Sequence, residues 1–213
     1  MVRGLDRNVS IVTTVVYWNG SMTTQQALEQ KLSRQEQQQL RNRRTGLAIF
    51  QISWIMTFVC LIVVNFWIRG NSESWPPAGV TIEKVIPTLM TLALIASSYF
   101  IRRGVRALKA DDFATFSNNW RYGLILGGVF AIVMAYEFIT APGSGQFLSI
   151  YRLMIGFHHI HALIIGYYMI RVYQNSKLGA YTATNFWPVE GGQTLWDFVT
   201  VAWVLFYVVL YII

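Results

Sequence analysis

The chain's 213 residues are 54% hydrophobic and only 13% charged, with a mean hydropathy of +0.40, about half the charged fraction of a soluble domain. That balance excludes a soluble globular protein and describes an integral membrane protein. The net charge of +7 is carried by Lys and Arg that flank apolar runs, the arrangement of membrane loops and not of a nucleic-acid surface. No nucleic-acid partner is expected. The single cysteine, Cys60, gives no disulfide framework and no thiolate metal site, and its place in an apolar run marks it as a small buried residue.

From the start of the chain, Ser10 to Trp18 is half the ~20 residues needed to span a bilayer, and no cleavable signal sequence is expected. Ser21 to Arg44 is polar and Gln-rich, with Leu28, Leu32 and Leu40 as a thin apolar stripe and Arg41, Arg43 and Arg44 at its end. It predicts a surface helix running up to the membrane, the alternative being a solvated tail. Residues 1–45 therefore form a cytoplasmic segment and 46–213 a transmembrane domain.

Five apolar stretches follow, at 46–68, 85–101, 122–140, 147–170 and 195–213. They are apolar all round, which excludes the alternating pattern of a barrel strand and predicts an all-α, five-helix polytopic bundle. Fourteen Lys and Arg fall before the first stretch, between the second and third, and between the fourth and fifth; only Arg69, Lys84 and Arg152 belong to the other side. The N-terminus is accordingly expected in the cytoplasm and the C-terminus outside.

All three histidines lie in Gly156-Phe157-His158-His159-Ile160-His161. His158 is roughly 16 Å along the helix from Phe147, near the middle of the hydrocarbon core, so this helix is expected to be central and its imidazoles to face partners. His158 and His161 share a face and His159 points away. Metal or haem ligation, or a proton relay, is one option; neutral imidazoles hydrogen-bonded across to other helices are the other. No other helix carries a histidine, and there is no Cys-rich loop, Glu-x-x-His pair or nucleotide-binding glycine loop. The chain is therefore expected to bind no cofactor or metal and to hold no catalytic residue.

Glu137 and Arg152 lie at similar depth on consecutive antiparallel helices, and an ion pair or a shared lipid headgroup contact is expected; separate snorkelling and an ion path are the alternatives. Thr194 and Asp197 at the start of the last stretch read as a capping box, with Asp197 facing the positive end of the helix dipole. Trp75-Pro76-Pro77 with Gly79 is an extended outer loop before the second helix.

Trp75-Pro76-Pro77-Ala78-Gly79, Pro87 with Ser97-Ser98, Glu137 in Ala-Tyr-Glu-Phe, Gly156-Phe157-His158 with His161, and the closing Trp196-x-Phe198-Val199-x-Val201-x-Trp203 occur in this order. As a set they resemble subunit III of the haem–copper respiratory oxidases, over Gly46 to Ile213. The resemblance implies an all-helical, non-catalytic subunit of a cytochrome c oxidase-type complex in aerobic respiration. Such a subunit packs on the catalytic subunit I that holds haem and copper, supports proton uptake and binds phospholipid. Structural or lipid-contacting roles are then expected for Glu137, Arg152, His158, His161, Trp75, Trp196 and Asp197, in a multi-pass protein of the bacterial inner membrane. Larger members have seven helices, and this chain resembles their five-helix part. Gln51-Ile52-Ser53-Trp54 stands where the family usually carries a buried Glu, and Asp197 and Thr200 where it commonly has His and Asp. An accessory subunit of a quinol oxidase or nitric oxide reductase has the same signature, and a small transporter is the competing class.

Overall fold

The computed structural model describes residues 32–213; the part of the expected surface helix before them, including Leu28, lies outside the described residues. Five long helices follow: α1 Arg34–Gly70, α2 Val85–Lys109, α3 Phe113–Thr140, α4 Gly145–Lys177 and α5 Trp187–Tyr207, the last continued by a π-helical turn Val208–Ile212. Each is long and apolar enough to cross a membrane.

Helix α1 opens on a capping box. The Ser33 side chain accepts the Glu36 amide (3.3 Å) and the Glu36 carboxylate accepts the Ser33 amide (2.8 Å), which satisfies two of the orphan donors at a helix start. From there 37 residues run without a break, ~55 Å of helix against a hydrocarbon core of ~30 Å. The polar helix and the first span are one element, so the boundary expected at position 45 is not a break in secondary structure. The other helices likewise overrun the apolar stretches, because backbone hydrogen bonding continues past the point where hydropathy fades.

Helices α2 to α5 pack as a ring of antiparallel neighbours closed by α5 against α2, and α1 leans on the outside against α5. The α2–α3 pair is the closest. The connection is short, with Asp111 in the left-handed region (φ 62°) and Asp112 accepting the Thr115 amide. Across that pair a β-carbon on Gly123 would fall 2.5 Å from Ile101 Cδ1 and 3.2 Å from the Ser97 carbonyl oxygen, so a side chain there would push Ile101 aside and press on the backbone of α2.

The most buried helix is α5, not the histidine helix expected to be central: 44% of the most apolar 18-residue stretch of α5 is buried, against 33% for α4 and 6% for α1. Packing decides this, since α5 contributes the fully buried Trp203 and Phe206 and the small Gly191, Gly192 and Ala202. α1 buries only Leu40, Phe58 and Asn65. Cys60, expected to be buried, is exposed, because it lies two residues beyond Phe58, roughly 200° round the helix from the face that meets α4 and α5.

Candidate functional site

The polar side chains inside the bundle form three groups, one at each end and one at mid-depth. At mid-depth the donors are indoles and an imidazole. Trp196 on α5 donates from Nε1 to Ser97 Oγ on α2 (3.0 Å), and Ser97 in turn donates to the Gly123 carbonyl of α3 (2.7 Å). Two turns along, Trp203 donates to Thr91 Oγ1 (2.8 Å), which donates to the Pro87 carbonyl (2.7 Å). Nearer the basic end, Trp120 of α3 donates to the Met169 carbonyl of α4 (3.1 Å). Without water, an indole N–H must find an acceptor on another helix; the hydroxyls of α2 supply it for Trp196 and Trp203, and a carbonyl of α4 for Trp120. The Trp196 and Trp203 chains fix the rotation of α5 against α2, and the Trp120 bond ties α3 to α4.

The three histidines go three ways. His158 is buried and donates from Nε2 to the Val199 carbonyl of α5 (2.9 Å), among the rings of Phe130, Trp203, Phe58 and Phe206. His161 does not reach across; its Nδ1 bonds the Phe157 carbonyl one turn back in α4 (2.7 Å). Its ring instead meets Trp54 edge-on at 4.5 Å and Phe58 at 5.4 Å, joining α1 to α4 by aromatic contact. His159 is half-buried, with Nδ1 unpartnered. Among the described residues no three His, Cys, Asp or Glu side chains are grouped as a metal site would require.

At the end of the bundle bearing Arg69 and Lys84, Glu137 is buried and accepts from Tyr151 Oη (2.9 Å), which also bonds Tyr211 Oη (2.7 Å). The expected Glu137–Arg152 pair does not form. Arg152 caps α3, donating to the carbonyls of Phe138 (3.1 Å) and Ile139 (3.0 Å), where the negative end of the helix dipole favours a cation. Equal depth was not enough: Tyr151 and Arg152 point roughly 100° apart on α4, and it is Tyr151 that faces the interior. Trp75 of the α1–α2 connection packs edge-on against Phe147 at 5.0 Å, next to the cis Trp75–Pro76 peptide. Arg69 donates to the Ile213 carbonyl and ties α1 to the end of the chain.

At the opposite, basic end, Asp197 is not a cap. α5 begins at Trp187, with Glu190 as the acid of its first turn, so Asp197 sits nearly three turns in and points sideways to α2. There it accepts from Ser98 Oγ and Arg102 Nε (2.9 Å), and from Gln193 in its own helix (3.3 Å). Glu190 accepts both Arg44 of α1 (3.0 Å) and Lys109 of α2 (2.8 Å), so one carboxylate clasps three helices. Glu190, Tyr151, Tyr211 and Thr91 were not singled out from sequence. The available signal was Thr88, Thr91, Ser97 and Ser98, the Ser and Thr residues of one apolar helix, which mark a side awaiting partners.

Most polar groups of this interior bond from one helix to another, with the Asn65 amide of α1 and His159 Nδ1 as buried exceptions. A family model for cytochrome c oxidase subunit III matches residues 6–213. Cytochrome c oxidase subunit 3 of Thermostichus vulcanus is 33% identical over 176 residues, covering 80% of this chain and 87% of that relative. The Synechocystis protein of the same name is 24% identical over 177 residues, covering 80% and 76%, and that of Anopheles gambiae 25% identical over 182 residues, covering 79% and 68%. With a match over nearly its whole length and Trp75, Glu137, His158 and Trp196 each built into the helix contacts, the chain belongs to the cytochrome c oxidase subunit III family.

Proposed function

We propose that this chain is the non-catalytic subunit III of a terminal haem–copper oxidase in aerobic electron transport. It packs on the catalytic subunit and supports proton uptake, lipid binding and the stability of the complex. Haem and copper belong to the partner subunit, and reduction of oxygen to water takes place there. The observation that carries this reading is the family match from residue 6 to residue 213. It is supported by an interior in which Trp196, Trp203, His158 and Glu137 are each engaged by a neighbouring helix, which suits mechanical support.

The orientation follows from charge. Arg44, Arg102, Lys109, Arg171 and Lys177 gather at one end of the bundle and Arg69 and Lys84 at the other, so the basic end faces the cytoplasm and Ile213 faces outward. The membrane is the bacterial inner membrane, in keeping with the cyanobacterial relatives. Trp75, Glu137, Arg152, His158, His161, Trp196 and Asp197 hold the fold or touch lipid and take no part in chemistry.

The test is purification through a tag on this chain in mild detergent, followed by a visible spectrum and identification of the co-purifying chains. Haem bands with a large histidine-rich subunit are expected, and the same sample distinguishes a cytochrome c oxidase from a quinol oxidase or nitric oxide reductase. A colourless, monodisperse preparation of this chain alone would overturn the assignment in favour of a transporter.

A further inference from the structure

At the end of the bundle bearing Arg69 and Lys84, a cavity of about 280 Å³ opens between the end of α1, the α1–α2 connection and the π-helical turn that closes α5. Arg69, Thr81 and Lys84 line it, and Tyr211 stands in its wall. At ~30 Å³ for each water in the liquid, that is room for several, held by a polar rim. Asn65, one turn in from Arg69 on α1, is 1% exposed, and among the described residues neither end of its carboxamide has a hydrogen-bond partner. A buried amide is satisfied by protein or by water, so this one calls for water below the cavity.

From the cavity wall a line of hydroxyls leads to Glu137. Tyr151 Oη donates to the carboxylate, which leaves its oxygen to accept from Tyr211 Oη; all three side chains are buried. The donors thus point one way, from the cavity to the carboxylate. A tie between α3 and α4 needs only the first of these bonds. Among the described residues no cation pairs with Glu137. Arg152 of α4 is spent on the Phe138 and Ile139 carbonyls and Arg69 of α1 on the Ile213 carbonyl, while Lys84 stands at the cavity, at the start of α2. The other titratable groups on this side are Tyr207 of α5, bonded to Thr88 of α2, and His158 of α4, two turns further in beside Phe130. A buried carboxylate without a cation is costly to keep charged. It sheds that charge only by taking a proton, and the proton has to come from water.

We propose that Glu137 exchanges its proton with the aqueous phase at the Arg69–Lys84 end, through Tyr151 and Tyr211. A hydronium in the cavity gives a proton to Tyr211 Oη and leaves as water, Tyr211 passes its own proton to Tyr151, and Tyr151 passes its own to the carboxylate. Each hydroxyl gains one O–H bond as it gives one up, and Glu137 becomes neutral; release runs the same path backwards. This goes beyond the function proposed above. It adds a proton exchange to the part Glu137 plays in holding α3 to α4 and leaves the reduction of oxygen with the partner subunit.

The experiment takes the protein with its co-purifying chains and reads the protonated-carboxyl infrared band that disappears in Glu137→Gln. The frequency of that band reports the hydrogen bond from Tyr151, and the rate at which it shifts in heavy water reports access. In the wild type the band is expected to grow as pH falls and to shift on transfer to heavy water. Tyr211→Phe keeps the Tyr151 bond but breaks the path, and is expected to leave the frequency nearly unchanged while slowing the shift on the order of 100-fold, as for loss of a positioned proton-transfer group. Thr81→Trp fills the cavity from an exposed position and leaves every hydroxyl of the line in place; it is expected to slow the shift as well. A band missing at every pH, a wild-type band that does not shift, or a wild-type rate in Tyr211→Phe would overturn the proposal. If Tyr211→Phe does not assemble, the rate in Thr81→Trp decides in the same way.

Discussion

Trp196 lies against the bare backbone of Gly127, so closely that a β-carbon there would stand 2.4 Å from Cζ2. The indole of α5 fills the place of a side chain that α3 lacks, while its N–H holds Ser97 of α2. Gly127→Ala is therefore expected to cost ~1–3 kcal/mol through overpacking. Gly128, the next residue, has nothing within 4 Å of its β-carbon position, and Gly128→Ala is expected to leave the melting temperature in detergent unchanged or slightly raised. Equal losses at both positions would show that the indole contact is not the cause.

The pairing of Glu137 can be read from two double-mutant cycles. Glu137→Gln with Tyr151→Phe is expected to show coupling of ~0.5–3 kcal/mol, because the two side chains share a buried hydrogen bond of 2.9 Å. Glu137→Gln with Arg152→Gln is expected to be additive within ~0.5 kcal/mol. Coupling confined to the Arg152 cycle would restore the ion pair.

Asp197 separates a cap from a cross-helix tie. Serine is as good a cap as aspartate, yet from position 197 it is too short to hold Ser98, Arg102 and Gln193 together. Asp197→Ser is expected to lower stability by ~1–3 kcal/mol, the cost of leaving part-buried partners unsatisfied. A neutral result in thermal melts would favour the capping role.

For the histidines, His158→Asn with His161→Gln is expected to leave haem and copper per purified complex unchanged, with a stability loss of ~1 kcal/mol from the Val199 contact. Metal lost in proportion to the subunit retained would assign these residues a ligand role.

Asp112, between α2 and α3, gives a pH dependence. Hydrogen bonds from the Thr115 side chain and backbone hold its carboxyl below the ordinary value of 3.8. A depressed folded value means that the contribution is fully present above 3.8 and is lost as pH falls through the lowered value. Protection of the Thr115 amide from hydrogen exchange is expected to drop through that acid range in the wild type. In Asp112→Asn, which caps without titrating, the drop should vanish; an identical drop would place its origin elsewhere.

Much of the fold was legible because it rests on additive, local quantities. Hydropathy summed over ~20 residues finds a span whatever surrounds it, and all five were found. Helix ends were less legible: α5 starts at Trp187 and not Leu195, and that shift turned Asp197 from an apparent cap into an interior tie. Depth along a helix could be counted for Glu137 and Arg152, but rotation about the axis could not. One residue of sequence, Tyr151 against Arg152, decided which of them met the carboxylate.

The sequence alone determined the class, the number of crossings, the asymmetry of basic charge and the family, since each depends on composition, on the order of short motifs or on free energies of transfer that act residue by residue. Tertiary structure alone decided that α5 and not α4 is the most buried helix, that Glu190 gathers Arg44 and Lys109, and that Cys60 faces outward. Those outcomes depend on how helices rotate to close glycine gaps and to satisfy most of their buried donors at once. That condition is imposed by neighbours distant in the chain, so no local stretch of it carries the answer.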